Sequence, residues 1–248
     1  MTISTEVRGH VGIVEMRDPP HNFLSVGQIA DIASALESFA ADTEIRAAVL
    51  CAEGRSFCAG ANFGNGGAGN TEDLYAGAAR LCEIAIPFVA AVQGPAIGGG
   101  LGLAMTANFR VTCPDARFSA NFVKLAIHQG FGLSVTLPEI LGPSRAAEVL
   151  LTGRRYKGEE AVAIGLADAC VPNEAVRDEA LKLATEIAEG APLAIRSINA
   201  TLRAGLGERL RAATKHEAAE QAKLFATEDS KEGVRSVNER RPGNFQGR

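Results

Sequence analysis

The run Ile84–Phe109 holds no charged residue and is long enough to span a bilayer, yet it is punctuated where a spanning helix would not be. Pro87, the step Gln93-Gly94-Pro95 and the triplet Gly98-Gly99-Gly100 cut it into short pieces, which read as a buried strand, a turn and a buried helix. Pieces that are apolar all round need a large interior to sit in. With 248 residues, 46% of them hydrophobic, the chain can supply one, as a single large domain or a domain with an appendage. Its 27 glycines and 10 prolines follow no collagen-like period. Disordered and fibrous architectures are excluded.

Around this segment, short apolar strands alternate with helical patterns. Thr2–Arg8 and Val11–Arg17 read as a hairpin turned at Gly9-His10 and stopped by Asp18-Pro19-Pro20. Apolar residues from Val26 to Phe39 recur at helical spacing behind Ser25, a plausible N-cap. Ala47–Cys51 is a buried strand, Leu74–Ile84 a helix and Phe88–Val92 a second buried strand. A helix at Leu101–Thr106 and a strand at Phe109–Thr112 follow. Beyond Pro138 the pattern is helical, with Asp168–Val171 as an interrupting strand. The expected organisation is a mostly parallel α/β core over residues 1–190 and a C-terminal helical region over 191–248, too small to build its own core.

Composition narrows the function. No tryptophan, two tyrosines and a net charge of −4 argue against nucleic-acid binding. The five cysteines are scattered and lack C-x-x-C spacing, so neither a disulfide framework nor a zinc site is indicated. The N-terminus lacks an apolar signal segment, and the expected location is cytoplasmic. No metal or redox cofactor is indicated.

Three stretches of small residues matter. Gly64–Gly69 formally fits G-x-G-x-x-G, but it begins a dozen residues after the nearest strand, so it reads as a surface loop. The other two, Ser56-Phe57-Cys58-Ala59-Gly60-Ala61-Asn62-Phe63 and Gly94-Pro95-Ala96-Ile97-Gly98-Gly99-Gly100, end apolar strands with small residues. Such segments either permit tight packing or let a ligand reach backbone N–H groups, two of which can converge on one oxygen.

This pair of segments resembles the two motifs of the crotonase (enoyl-CoA hydratase/isomerase) superfamily. Pro20-His21-Asn22-Phe23-Leu24 is similar to its N-A-L turn and Leu151-Thr152-Gly153-Arg154 to its L-T-G-[DR] segment. Phe225-Ala226-Thr227-Glu228-Asp229 with Glu232-Gly233 is similar to its C-terminal signature. The resemblance covers nearly the whole chain. It implies a spiral of ββα units, a homotrimer or dimer of trimers formed through the C-terminal helices, and an acyl-CoA thioester as ligand. By motif position the oxyanion donors are the amides of Ala61 and Gly99. The ligand would contact His21, Asn22, Phe23, Ala59, Gly60, Phe63, Gly98 and Phe122, with Arg240, beside Arg235 and Arg241, near the CoA phosphates.

The departures from the family pattern are chemical. Where hydratases carry their first glutamate this chain has Gly102, where they carry the second it has Phe122, and a third acidic position falls near Gly130. Hydration needs one carboxyl group to activate water and another to protonate carbon. His128 is the candidate replacement for proton transfer, with Asn121 and Gln129 to orient water. Glu139 is expected to face solvent at a helix start, and Cys58 has no visible base beside it. Two readings follow: a lyase or isomerase acting on an acyl-CoA thioester without the usual glutamates, or a non-catalytic acyl-CoA-binding protein.

Overall fold

The structure, a computed structural model, describes residues 3–61 and 71–248. β1 (Ile3–Arg8) and β2 (Val11–Met16) form the expected hairpin, with Arg8 opposite Val11 and Gly9 at φ 58° in the turn. Helix α1 (Val26–Ala41) starts at Ser25, whose hydroxyl accepts the Gln28 N–H at 3.1 Å, and buries Ile29, Ile32, Ala33 and Leu36 on one face. The chain continues through β3 (Ala47–Ala52), α2 (Thr71–Cys82), β4 (Phe88–Val92), β5 (Pro95–Ile97) and α3 (Gly99–Thr106). It then forms β6 (Phe109–Thr112), β7 (Arg117–Ser119), a 3-10 turn (Asn121–Leu125), α4 (Leu133–Leu141), α5 (Pro143–Thr152) and β8 (Tyr156–Lys157). Next come α6 (Gly158–Ile164), β9 (Ala169–Cys170) and α7 (Val176–Ala188), then the terminal helices α8 (Pro192–Leu202), α9 (Leu206–Phe225) and α10 (Glu228–Asn238).

Six strands make the main sheet in the order β1-β2-β3-β4-β6-β9, parallel except for the hairpin. A second sheet, β5-β7-β8, takes β5 and β7 from the segments that follow β4 and β6, and β8 from the segment after α5. Strands β2 and β4 and helix α3 are buried along their whole length, so most of the uncharged run Ile84–Phe109 lies in the interior. Helix α7 packs across β2, β3, β4 and β6. Among the described residues no helix is long and apolar enough to cross a membrane.

The C-terminal helices are attached by polar side chains as well as apolar ones. Arg203 donates to the Thr106 carbonyl at 2.7 Å and to the Cys82 carbonyl at 3.4 Å, satisfying the C-terminal ends of α3 and α2. On α8, Asn199 donates to the Ile84 carbonyl at 3.1 Å and accepts from Asn108 at 2.8 Å. Helix α9 lies along α2, and α10 crosses the 3-10 turn, where Gly233 sits directly on the Leu125 backbone. The chain end folds back over α10. Asp229 accepts the N–H groups of Gln246 and Gly247, both at 2.7 Å, and Glu232 accepts that of Asn244 at 3.0 Å. The Arg241 guanidinium and this amide hold the Glu232 carboxyl down at about 2.

Two expectations need correcting. Glu139 is not at a helix start: it lies near the end of α4, a helix that runs through Pro138, and its carboxylate pairs with Arg209 of α9. Strands β5 and β8 and the 3-10 turn are absent from the sequence reading because each is too short to show a period.

Candidate active site

The site is made where three backbone segments are stitched together. Cys58 donates its N–H to the Pro95 carbonyl at 2.9 Å and accepts from Ile97 at 3.0 Å. The Leu24 N–H goes to Gly60 and the Ala59 N–H to His21, each at 2.9 Å. Gly60 adopts φ 85°, and a Cβ there would stand 2.6 Å from the Ile97 carbonyl oxygen and 3.6 Å from the Gly99 nitrogen. Only glycine permits the two turns to run this close. Gly98, at φ 56°, opens α3, which makes Gly99 the first helical residue, with its N–H outside the helical ladder. Among the described residues neither the Gly99 nor the Ala61 N–H has a hydrogen-bond partner.

These amides face a cavity of about 350 Å³, a volume suited to a small-molecule ligand. Phe23, Leu24, Ala59, Gly60, Ala61, Gly98, Gly99 and Phe122 line it, together with Leu74 and Tyr75 of α2 and Asn121 and Leu125 of the 3-10 turn. Arg155 and, from α10, Val234, Val237 and Asn238 complete the wall. The Asn121 amide oxygen and the Phe122 ring lie against Gly98, where a Cβ would be 3.2 Å from the first and 3.7 Å from the second. No carboxylate is among these lining residues.

Gly102 and Gly130, which the resemblance aligns with acidic positions, are both closed by aromatic rings. A Cβ at Gly102 would lie 2.7 Å from the Phe131 Cβ, and one at Gly130 would lie 2.2 Å from the Tyr75 hydroxyl. Phe131 is fully buried at φ 59°, a conformation that costs a bulky residue energy and persists only where its surroundings enforce it. Tyr75 meets it edge-on, with ring centroids 6.2 Å apart. Helix α9 fixes both rings. Gln221 accepts the Tyr75 hydroxyl at 2.8 Å and donates to the His128 carbonyl at 2.7 Å, while the Glu217 carboxylate accepts the N–H groups of Gly132 at 2.8 Å and Ser134 at 3.0 Å. Burial pushes the Tyr75 phenol up beyond its usual range, so it stays neutral.

Several expected site residues lie elsewhere. His128 does not line the cavity: its Nδ1 is 2.8 Å from the Gln129 carbonyl and its ring stands edge-on to His216. Gln129 is turned to the Ser134 hydroxyl at 3.0 Å. Asn22 is fully buried and holds its turn, accepting from the Asp18 N–H at 2.9 Å and donating to the carbonyls of Glu53 and Ser56. His21 lines a neighbouring cleft with Arg55 and Arg117, its ring 5.0 Å from that of Phe23. Arg240 is exposed and outside the cavity; Arg241 is committed to Glu232 and Glu239. The Cys58 thiol is pushed up to about 12 by complete burial, which removes it as a nucleophile. Phe63, Asn62 and the stretch Gly64–Gly69, which reads in sequence as a surface loop, lie outside the described residues. Tyr75, Arg155 and Asn238 are missed by sequence reasoning, because Tyr75 reads as an ordinary member of an apolar helix face and the other two carry no motif.

Glu217 supplies a test of how the rings are held. Its carboxyl lies above the ordinary glutamate value of 4.5 because burial outweighs the two backbone N–H donors. A carboxyl raised in the folded state stabilises the fold most fully below pH 4.5, and that contribution is lost as pH rises through the folded value. Wild type is therefore expected to lose stability relative to Glu217→Gln as pH climbs from that point. A difference in urea midpoints that does not vary with pH would contradict the dominance of burial.

Two backbone amides that are unpaired among the described residues, set over a largely apolar cavity, can polarise a carbonyl oxygen. The family model described as enoyl-CoA hydratase/isomerase matches residues 6–248. A Bacillus subtilis protein named "Probable enoyl-CoA hydratase" is 31% identical over 254 residues, covering 99% of this chain and 98% of that one. Enoyl-CoA hydratase EchA19 of Mycobacterium tuberculosis is 32% identical, covering 98% and 96%. A crystal structure of an enoyl-CoA hydratase/isomerase from Pseudoalteromonas atlantica superposes with a TM-score of 0.88 at 28% identity, covering 99% of this chain and all of that one. The chain belongs to the enoyl-CoA hydratase/isomerase family of the crotonase superfamily.

Proposed function

We propose that the chain binds an acyl-CoA thioester with the thioester oxygen on the Ala61 and Gly99 amides, as an enoyl-CoA hydratase/isomerase-type protein that works without the usual glutamates. One observation carries this: among the described residues, two N–H groups without a hydrogen-bond partner face a cavity with no carboxylate in its lining. Preorganised amides stabilise charge on a developing enolate oxygen, and they do not titrate. With coenzyme A as part of the substrate, no separate cofactor is needed. Trimeric assembly belongs to the same proposal and is supported by the exposed apolar residues Leu193, Ile198 and Leu202 of α8. A cytoplasmic location is supported by five free cysteines.

A second reading, an acyl-CoA-binding protein without turnover, is favoured by the rings that close the acid positions. Calorimetric binding of crotonyl-CoA and a longer 2-enoyl-CoA, with the enoyl absorbance followed in parallel, tests both. Binding is expected, with hydration slower by at least the roughly 10² to 10⁴-fold that positioned acid–base groups contribute. Deuterium uptake at the α-carbon of a saturated acyl-CoA in D₂O would support enolate chemistry, and binding with no uptake would favour the non-catalytic reading. No binding of any acyl-CoA would overturn both.

A further inference from the structure

The charge of the cavity is as specific as its shape. Among the described lining residues Arg155 is the one side chain of a charged type: no Asp or Glu is among them, and burial keeps the phenol of Tyr75 neutral. Most neighbouring charges are neutralised locally. Arg154, one residue earlier, donates to Glu148 at 3.0 Å and lies over the Tyr156 ring, and Glu148 also takes Arg145. On α10, Arg235 is 4.0 Å from Glu232. Arg155, by contrast, has no hydrogen bond or ion pair among the described residues. The wall beside it offers two further side-chain donors, the amides of Asn121 and Asn238.

The missing acids bear on the same point. A glutamate at either closed position would repel an anion in the cavity, and Phe131 and Tyr75 exclude one at both. A cavity with one uncompensated guanidinium, amide donors and no carboxylate is electrostatically complementary to a negatively charged guest.

We infer that the acyl group taken by this site carries a free carboxylate of its own, held by Arg155 while the thioester oxygen occupies the Ala61 and Gly99 amides. The inference rests on the acyl-CoA reading above and narrows it to acyl thioesters of dicarboxylic acids. A planar guanidinium matches a carboxylate with two parallel N–H donors.

Calorimetric titration of malonyl-CoA against propionyl-CoA, and of succinyl-CoA against butyryl-CoA, tests it, with free CoA as reference. The wild type is expected to bind the carboxylated member of at least one pair about tenfold more tightly, as a charge-assisted hydrogen bond implies. Arg155→Gln is expected to narrow that preference to within about twofold, and Arg155→Lys to keep part of it. Equal affinity for both members of each pair would overturn the inference and leave the acyl-CoA reading standing. So would an Arg155→Gln variant that weakens both members and free CoA by one common factor, because Arg155 would then be facing the CoA phosphates. If no acyl-CoA bound at all, the acyl-CoA reading would fail and the inference with it. The side chain of Arg155 is exposed, so a matching thermal melt of each variant verifies that the fold is unchanged.

Discussion

Replacing Gly102 with glutamate is expected to destabilise the fold severely rather than to supply a working acid–base group. The new Cβ would stand 2.7 Å from the Cβ of Phe131, whose ring is fully buried and pinned between Tyr75 and the turn that Glu217 holds. Overpacking of this kind costs about 1–3 kcal/mol, and burying a carboxyl group without partners adds about 2 kcal/mol or more. The sum is a large share of the about 5–15 kcal/mol that holds a typical domain together. Urea denaturation of Gly102→Glu should show a collapse of the midpoint or no folded baseline. Adding Phe131→Ala should recover part of the loss by opening the space. A folded single variant that hydrates crotonyl-CoA would show that the ring does not close the position.

The second large effect belongs to Gly60→Ala. A left-handed backbone at φ 85° costs an alanine about 1–2 kcal/mol, and the added methyl would meet the Ile97 carbonyl oxygen at 2.6 Å. Relief requires the segments carrying Ala61 and Gly99 to separate, so acyl-CoA affinity should fall at least about tenfold, the equivalent of losing one good hydrogen bond. Gly9→Ala is the control. It has a similar left-handed backbone, at φ 58°, but open space around the Cβ. It should cost stability alone and leave ligand affinity unchanged. Equal affinity in wild type and Gly60→Ala would mean that the amides do not contact the ligand.

Much of this architecture is legible in the residues. The hairpin, the Ser25 cap, the buried strands β3 and β4 and the helices after Pro143 follow from period and punctuation, because each is long enough to repeat its pattern. Helix α4 is hidden because Pro138 falls inside it, and glycines at both flanks read as loop. The site is legible only in its backbone half. Gly60, Ala61, Gly98 and Gly99 announce themselves as clustered small residues, and the cavity is built on them. Its other wall comes from α2, α10, the 3-10 turn and Arg155 just ahead of β8, brought together by the tertiary fold alone. For the same reason His128, placed near the site by its position in sequence, is turned away from it by the packing of the adjacent α9.

The folded-back chain end has a thermodynamic consequence for that wall. Val234, Val237 and Asn238 are presented by a helix whose first turn is clasped through Asp229 to Gln246 and Gly247, and whose Glu232 is tied to Arg241 and Asn244. Ordering a helix at a ligand's surface ordinarily subtracts conformational entropy from the binding free energy. Here the chain meets that cost when it folds, so a guest arrives at a wall already in place. More of the interaction at the amides is then left to appear as affinity.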